Sequence, residues 1–254
     1  MVSVLLVSPR SGESVARAEY NDVLRATGLS PEQLTQRMLD TTETAVGSTK
    51  GFDGVIVGGS PLNVTNVSYD QWQLHVHSEL QKLIDAPIPV FFICYGTALA
   101  TSLTGGTVGR SYPEASGPTV VQLTEEGRHD RITCDLPPEF VSLTGHTESA
   151  EKLGQGVVLL ATGPTCPIQM VRINNSTWAC QFHAEMDAAA MKARMDFYFD
   201  YGYFTPKITI PSSRSSPTLI QGIPIKCYKI LLRSAEVSVR TLPRKVHIFG
   251  FQLK

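Results

Sequence analysis

Apolar residues fall along this chain in two textures. Through the first hundred residues, short unbroken apolar runs alternate with stretches in which apolar positions recur every three or four residues. Val2–Val7 is a continuous run, the pattern of a strand covered on both faces. Glu13–Thr27 places Ala16, Tyr20, Val23 and Leu24 at helical spacing and stops at Gly28. Leu34–Leu39 predicts a second strand, and Phe52–Val57 a third that ends in Gly58-Gly-Ser-Pro61. Gln71–Asp85 returns to helical spacing, with Val76, Leu80, Leu83 and Ile84 inward. A fourth apolar run, Pro89-Val-Phe-Phe-Ile, breaks at Cys94-Tyr-Gly96 and resumes as Ala98, Leu99, Ala100 and Leu103 on one helical face.

From Gly105 the texture shortens. Strand-like pieces lie at Gly106–Arg110, Thr119–Leu123, Phe140–Leu143, Val157–Ala161, Ile168–Ile173 and Trp178–Phe182, separated by turn residues. A last helix is expected over Asp187–Phe199, carrying Met191, Met195 and Phe199, and Met186, Met191 and Met195 read as core filler. The order β-α-β-β-α-β-α followed by short strands predicts an α/β fold. Its sheet is doubly wound, mostly parallel and flavodoxin-like, with antiparallel additions, and ligands belong at the strands' C-terminal ends.

Charge divides the chain near Pro206. Positions 1–206 hold 13 Lys and Arg against 22 Asp and Glu, whereas positions 207–254 hold 9 against 1. The basic segment also carries four prolines and little periodicity. It reads as an extension without its own core, in preference to a nucleic-acid or partner arm. Residues 1–206 are the expected domain. The net charge of −1 gives no electrostatic case for nucleic acid or an anionic membrane. Five scattered cysteines, with no CxxC, suggest reduced thiols and a cytoplasmic location. Neither a metal-ligand spacing nor a dinucleotide or Walker-type loop is present, so no cofactor is expected. His75 and His77 lie two apart on a predicted helix and are poor joint ligands.

Candidate chemistry starts at the break after Ile93. A strand, a one-residue corner and a helix make a nucleophile elbow, which lifts Cys94 above the N-terminus of the next helix. That position suits a thiolate. Gly58-Gly59 lets backbone N–H groups approach a ligand, as an oxyanion hole requires. His183 and Glu185 are two apart in a predicted strand and so share a side, where a carboxylate can orient an imidazole. Thr144-Gly-His-Thr-Glu148 is expected on a turn, where His146 is either a solvated loop residue or part of the site.

Taken in order, these segments resemble the class I (triad-type) glutamine amidotransferases, nearest to free-standing domains related to the amidotransferase half of GMP synthetase. The likeness covers roughly residues 1–200. It rests on Asp53-Gly-Val-Ile-Val-Gly-Gly-Ser-Pro61, Pro89-Val-Phe-Phe-Ile-Cys-Tyr-Gly96 and Leu103-Thr-Gly-Gly106, then Thr144-Gly-His146, Thr165-Cys-Pro167 and Gln181-Phe-His-Ala-Glu185. The resemblance implies Cys94 as nucleophile, His183 as general base and acid, and Glu185 as orienting carboxylate. It also implies Gly59 and Tyr95 as oxyanion donors, with His146 beside the substrate. The implied partners are glutamine or a γ-glutamyl compound and a separate synthetase subunit that receives ammonia. Two rival readings use the same fold: a γ-glutamyl conjugate hydrolase, and a catalytically weak binding or regulatory module. Three positions depart from the family pattern. Phe92 stands where Gly is common two residues before the nucleophile, Ala98 where Gln is common four residues after it, and Ala184 where Pro usually separates the triad residues. Phe92 is expected to crowd the elbow and Ala98 to loosen the hold on glutamine, so weak glutaminase activity is expected.

Overall fold

Strands buried on both faces carry unbroken apolar runs, and the computed structural model, which describes residues 2–198, places four such strands side by side. The first half contains β1 (Val4–Ser8), α1 (Glu13–Thr27), β2 (Leu34–Met38), β3 (Gly54–Val57), α2 (Gln71–Ile84), β4 (Val90–Ile93) and α3 (Tyr95–Leu103). The second half contains β5 (Thr107–Gly109), β6 (Glu114–Leu123), α4 (Glu125–His129), β7 (Glu139–His146) and β8 (Ser149–Lys152). It continues through β9 (Val158–Thr162), β10 (Met170–Arg172), β11 (Thr177–Cys180) and α5 (Ala188–Phe197).

The main sheet has nine strands in the order β2-β1-β3-β4-β11-β10-β9-β6-β7. From β2 to β11 neighbours run parallel, and from β11 to β7 each pairing is antiparallel. Alternation along the parallel strands feeds two cores. Val4, Leu6, Ile56, Phe91, Ile93 and Trp178 face one side with Val23 and Ala26 of α1. Leu5, Val7, Val55, Val57, Phe92 and Ala179 face the other, with α2 and α3. At roughly 25 cal/mol per Å² of apolar surface, burial on both faces is the largest favourable contribution to this fold. No helix among the described residues is long and apolar enough to cross a membrane.

Four expectations change in detail. Thr144–Glu148 is not an exposed turn: β7 runs through to His146, and Glu148 sits buried at the entry to β8. The strand expected over Thr119–Leu123 begins earlier, at Glu114, and takes in Gly117 and Pro118, with a register shift against β7 between Glu114 and Gly117. The short elements α4 and β8 have too few apolar residues to show a period. The strand expected through Phe182 leaves the sheet at Cys180, so strand alternation does not bring His183 and Glu185 together. The boundary near Pro206, the basic segment 207–254 and Phe199 lie outside the described residues.

Candidate active site

Strand β4 occupies the middle of the parallel strands, between β3 and β11, and its end delivers Cys94 to the sheet's C-terminal edge. Cys94 has φ 54° and ψ −98°, and it alone among the described non-glycine residues has positive φ. Such a conformation costs about 1–3 kcal/mol and persists only where surrounding contacts impose it. Here the Cys94 N–H donates to the Cys180 carbonyl at 2.7 Å, and its own carbonyl accepts from Thr97 N at 2.9 Å. The expected crowding by Phe92 does not block the corner. Its buried side chain lies against the bare Cα of Gly96, where an added Cβ would come within 2.5 Å of Phe92 Cβ. The missing side chain at Gly96 makes room for Phe92.

His183 is placed by a separate device. After β11 the chain crosses toward β7, and His183 N–H donates to the Leu143 carbonyl at 2.7 Å in an isolated antiparallel bridge. Its Nδ1 meets Glu185 Oε1 at 2.7 Å, both groups being buried. This leaves Nε2 for Cys94, which lines the same hollow as His183. Burial works against an imidazolium here. The Glu185 carboxylate and Cys94 outweigh it and raise the His183 pKa to about 10. Burial likewise works against the Glu185 charge, and His183 and Arg194 more than compensate, holding its carboxyl below the usual range. Gly59 lies against both side chains: a Cβ there would be 3.3 Å from His183 Cε1 and 3.8 Å from Cys94 Cβ. Tyr95 opens α3, whose first N–H groups point out of the helix end, and its hydroxyl meets His77 Nε2 at 2.5 Å. His75 turns instead to the Thr44 carbonyl at 2.6 Å, so the two histidines are apart.

Cys94 stands between two hollows that share Ser60 and Gly145. One, of about 60 Å³, contains His183, Gly59, Arg10, Met186 and Met191. The other, of about 40 Å³, contains Tyr95, Ala98, Asn63, His146, Glu148 and Gln181. Gln181 Nε2 lies 3.8 Å from Cys94 Sγ. Glu148 accepts from Val64 N and Thr65 N, both at 2.8 Å, and so fastens the loop after Gly59 to β8. His146 is buried, and no hydrogen-bond partner meets its Nδ1 among the described residues. Its Nε2 donates to Glu114 Oε2 at 2.9 Å.

Glu114 gives no sign of its role in the sequence, yet five side chains converge on it. Besides His146, Thr119 donates at 2.7 Å, Thr144 at 3.1 Å and Gln169 at 2.9 Å, and Thr165 completes the set. Burial opposes the Glu114 charge, but these donors lower its pKa to about 2. Glu114, His146 and Cys166 are close enough to suggest a metal site. Their chemistry argues otherwise. The Cys166 thiol already donates to the Ile168 carbonyl at 3.5 Å. The Glu114 oxygens are already taken by donors. Sequence reading also missed Arg10 and Glu19, a buried ion pair beneath Gly59.

Comparison with known proteins agrees with this architecture. The family model for "Glutamine amidotransferase class-I" matches residues 21–200. A GMP synthase [glutamine-hydrolyzing] of Bacillus cereus (strain AH820) is 33% identical over 134 residues, covering 52% of this chain and 24% of that protein. A GMP synthase of Bacillus anthracis gives the same figures. The match thus spans about a quarter of these relatives' length. Among solved structures, a glutamine amidotransferase of Thermotoga maritima superposes with TM-score 0.66 at 17% identity, covering 95% of this chain and 100% of that one. A glutamine amidotransferase of Methylobacillus flagellatus gives TM-score 0.65 at 14% identity, covering 99% of this chain and 100% of that one. At such identities the two structures speak to the fold alone.

Proposed function

The chain belongs to the glutamine amidotransferase class-I family, and from that premise we propose that it hydrolyses glutamine through a thioester on Cys94 and passes the ammonia to a separate synthetase. The observation that carries the reading is the hydrogen-bonded His183–Glu185 pair in one hollow with Cys94, which sits at a strained corner against Gly59. The Cys94 thiolate attacks the side-chain amide carbon. The amide oxygen takes up the electron pair and faces the Gly59 and Tyr95 N–H groups. His183, protonated at neutral pH, gives its proton to the departing nitrogen, and ammonia leaves as the carbonyl reforms as a thioester. The neutral imidazole then takes a proton from water, whose oxygen attacks the thioester. Collapse expels the Cys94 thiolate and releases glutamate. Glu185 keeps the His183 tautomer and supports its charged form.

The roles of Gly59, Tyr95 and His146 belong to the same proposal. So does a cytoplasmic location, consistent with the free thiols of Cys94, Cys134, Cys166 and Cys180. A glutamate-release assay tests the proposal, run on the intact chain beside Cys94→Ala and with γ-glutamyl amides offered alongside glutamine. Glutamate release that is lost in Cys94→Ala is expected. Turnover that survives Cys94→Ala overturns the mechanism, and a strong preference for γ-glutamyl amides moves the substrate to a conjugate.

A further inference from the structure

Arg10 lies just beyond the end of β1 and is 1% exposed. A lone guanidinium in such a place is costly, and a buried ion pair generally adds little to stability compared with apolar residues of the same size. The contacts of Arg10 suggest another reason for its presence. Its Nη2 donates to the Gly59 carbonyl and pairs with Glu19 Oε1 at 2.7 Å, while Nη1 donates to the Tyr198 hydroxyl at 2.9 Å. Glu19 comes from the inner face of α1 and Tyr198 from the end of α5. The pair fills the space beneath the glycines. A Cβ at Gly58 would collide with the Glu19 carboxylate, and one at Gly59 would stand 3.5 Å from Arg10 Nη2.

We propose that Arg10, locked by Glu19, is a positioning residue for the reaction: it holds the Gly58–Gly59 segment by its carbonyl and stands as a fixed cation behind Cys94 and His183. The Gly59 carbonyl anchored on Arg10 fixes the Gly59–Ser60 peptide plane and with it the Gly59 Cα, from which the adjoining Gly58–Gly59 peptide presents the Gly59 N–H. An oxyanion donor works only when it is already aimed before charge develops. Burial works against the Arg10 charge, but Glu19, Tyr198, Glu185 and Cys94 together more than offset it, and Arg10 lines the same hollow as Cys94 and His183. Two further cations face this group: Arg194, from α5, pairs with Asp22 at 3.3 Å, and Arg25, from α1, donates to the Glu185 carbonyl at 3.4 Å and pairs with Asp22 at 3.0 Å.

The inference rests on the glutaminase reading for its kinetic test and has a second test that does not. Removing one partner leaves an uncompensated buried charge, so the informative variant is Arg10→Met with Glu19→Met, which removes both charges at similar volume. In the intact chain this variant is expected to melt cooperatively and to show kcat lowered about 10- to 100-fold, with KM within about twofold. Arg10→Lys, which keeps the charge but not the fork, is expected to fall between the two. The activity-independent readout is carbamidomethylation of Cys94 by iodoacetamide at pH 7, expected to slow several-fold in the double variant. A folded double variant matching wild type in kcat, KM and Cys94 alkylation overturns the proposal. If wild type releases no glutamate, the glutaminase reading fails, and the alkylation rate alone decides the role of Arg10.

Discussion

Individual side chains carry unequal weight at this site. On the proposed mechanism Cys94→Ala and His183→Ala are expected to abolish glutamate release, because one would form the thioester and the other would carry the proton. Glu185→Ala is expected to leave residual turnover, since in that mechanism the carboxylate orients the imidazole and does not itself transfer the proton. Ala98 lines the hollow that holds Gln181 and His146. Ala98→Gln is therefore expected to lower the apparent KM for glutamine, by the tenfold or less that one hydrogen bond exchanging with water supplies. Phe92 acts differently from its expected role. Because it fills the space over Gly96, Phe92→Gly is expected to destabilise the fold by about 3–5 kcal/mol. Thermal or urea unfolding checks this, and a gain in activity without loss of stability would restore the view that Phe92 crowds the elbow.

Among the elements, the corner between β4 and α3 and the seam between α1 and α5 shape the site most. The corner needs the Cys180 carbonyl, so β11 must pair in register with β4 before Cys94 can take its positive φ. Helix α5 is seated by Asp187, which caps it by accepting from Ala190 N at 2.8 Å and also pairs with Arg25 of α1 at 3.2 Å. Asp187→Ala is expected to cost about 1 kcal/mol from the lost cap, with a smaller share from the half-exposed ion pair. Since α5 supplies Tyr198 to Arg10 and Arg194 to the surroundings of Glu185, activity is expected to fall more than stability. Denaturant titration beside the glutamate assay reads both quantities. These are effects of element placement, invisible in the periodicity that defines each helix.

For the molecule as a whole, two buried groups set opposite edges of a pH window. Glu114 has a folded pKa of about 2, below the ordinary value of 4.5. Its contribution, on the order of 3 kcal/mol, is present above about pH 4.5 and lost as pH falls toward 2. His183 has a folded pKa of about 10, above 6.5, so its contribution is complete below about pH 6.5 and lost as pH rises toward 10. These two groups alone leave unfolding free energy level between about pH 4.5 and 6.5, while Asp22, whose folded pKa burial raises to about 6, takes stability away as pH rises through that range. Glu114→Gln should flatten the acid limb and His183→Ala the alkaline limb. For the segment beyond Pro206, which lies outside the described residues, the composition predicts that its removal shifts the thermal midpoint by less than about 5 °C. The sequence by itself determined the α/β class, the helix and strand periods, and the elbow at Cys94. It also placed Gly59, His183 and Glu185 as candidates, because apolar spacing and turn residues are local properties written in consecutive positions. Tertiary structure alone decided that Arg10 reaches Gly59 and Tyr198, that Glu114 gathers donors from β7 and the approach to β10, and that His146 is buried. It also decided that Gly96 makes room for Phe92, and that a bridge to Leu143, not strand alternation, brings His183 to its place. The reason is physical: a buried polar group is satisfied by partners that chain crossing and sheet order bring near, and sequence spacing carries no record of that pairing.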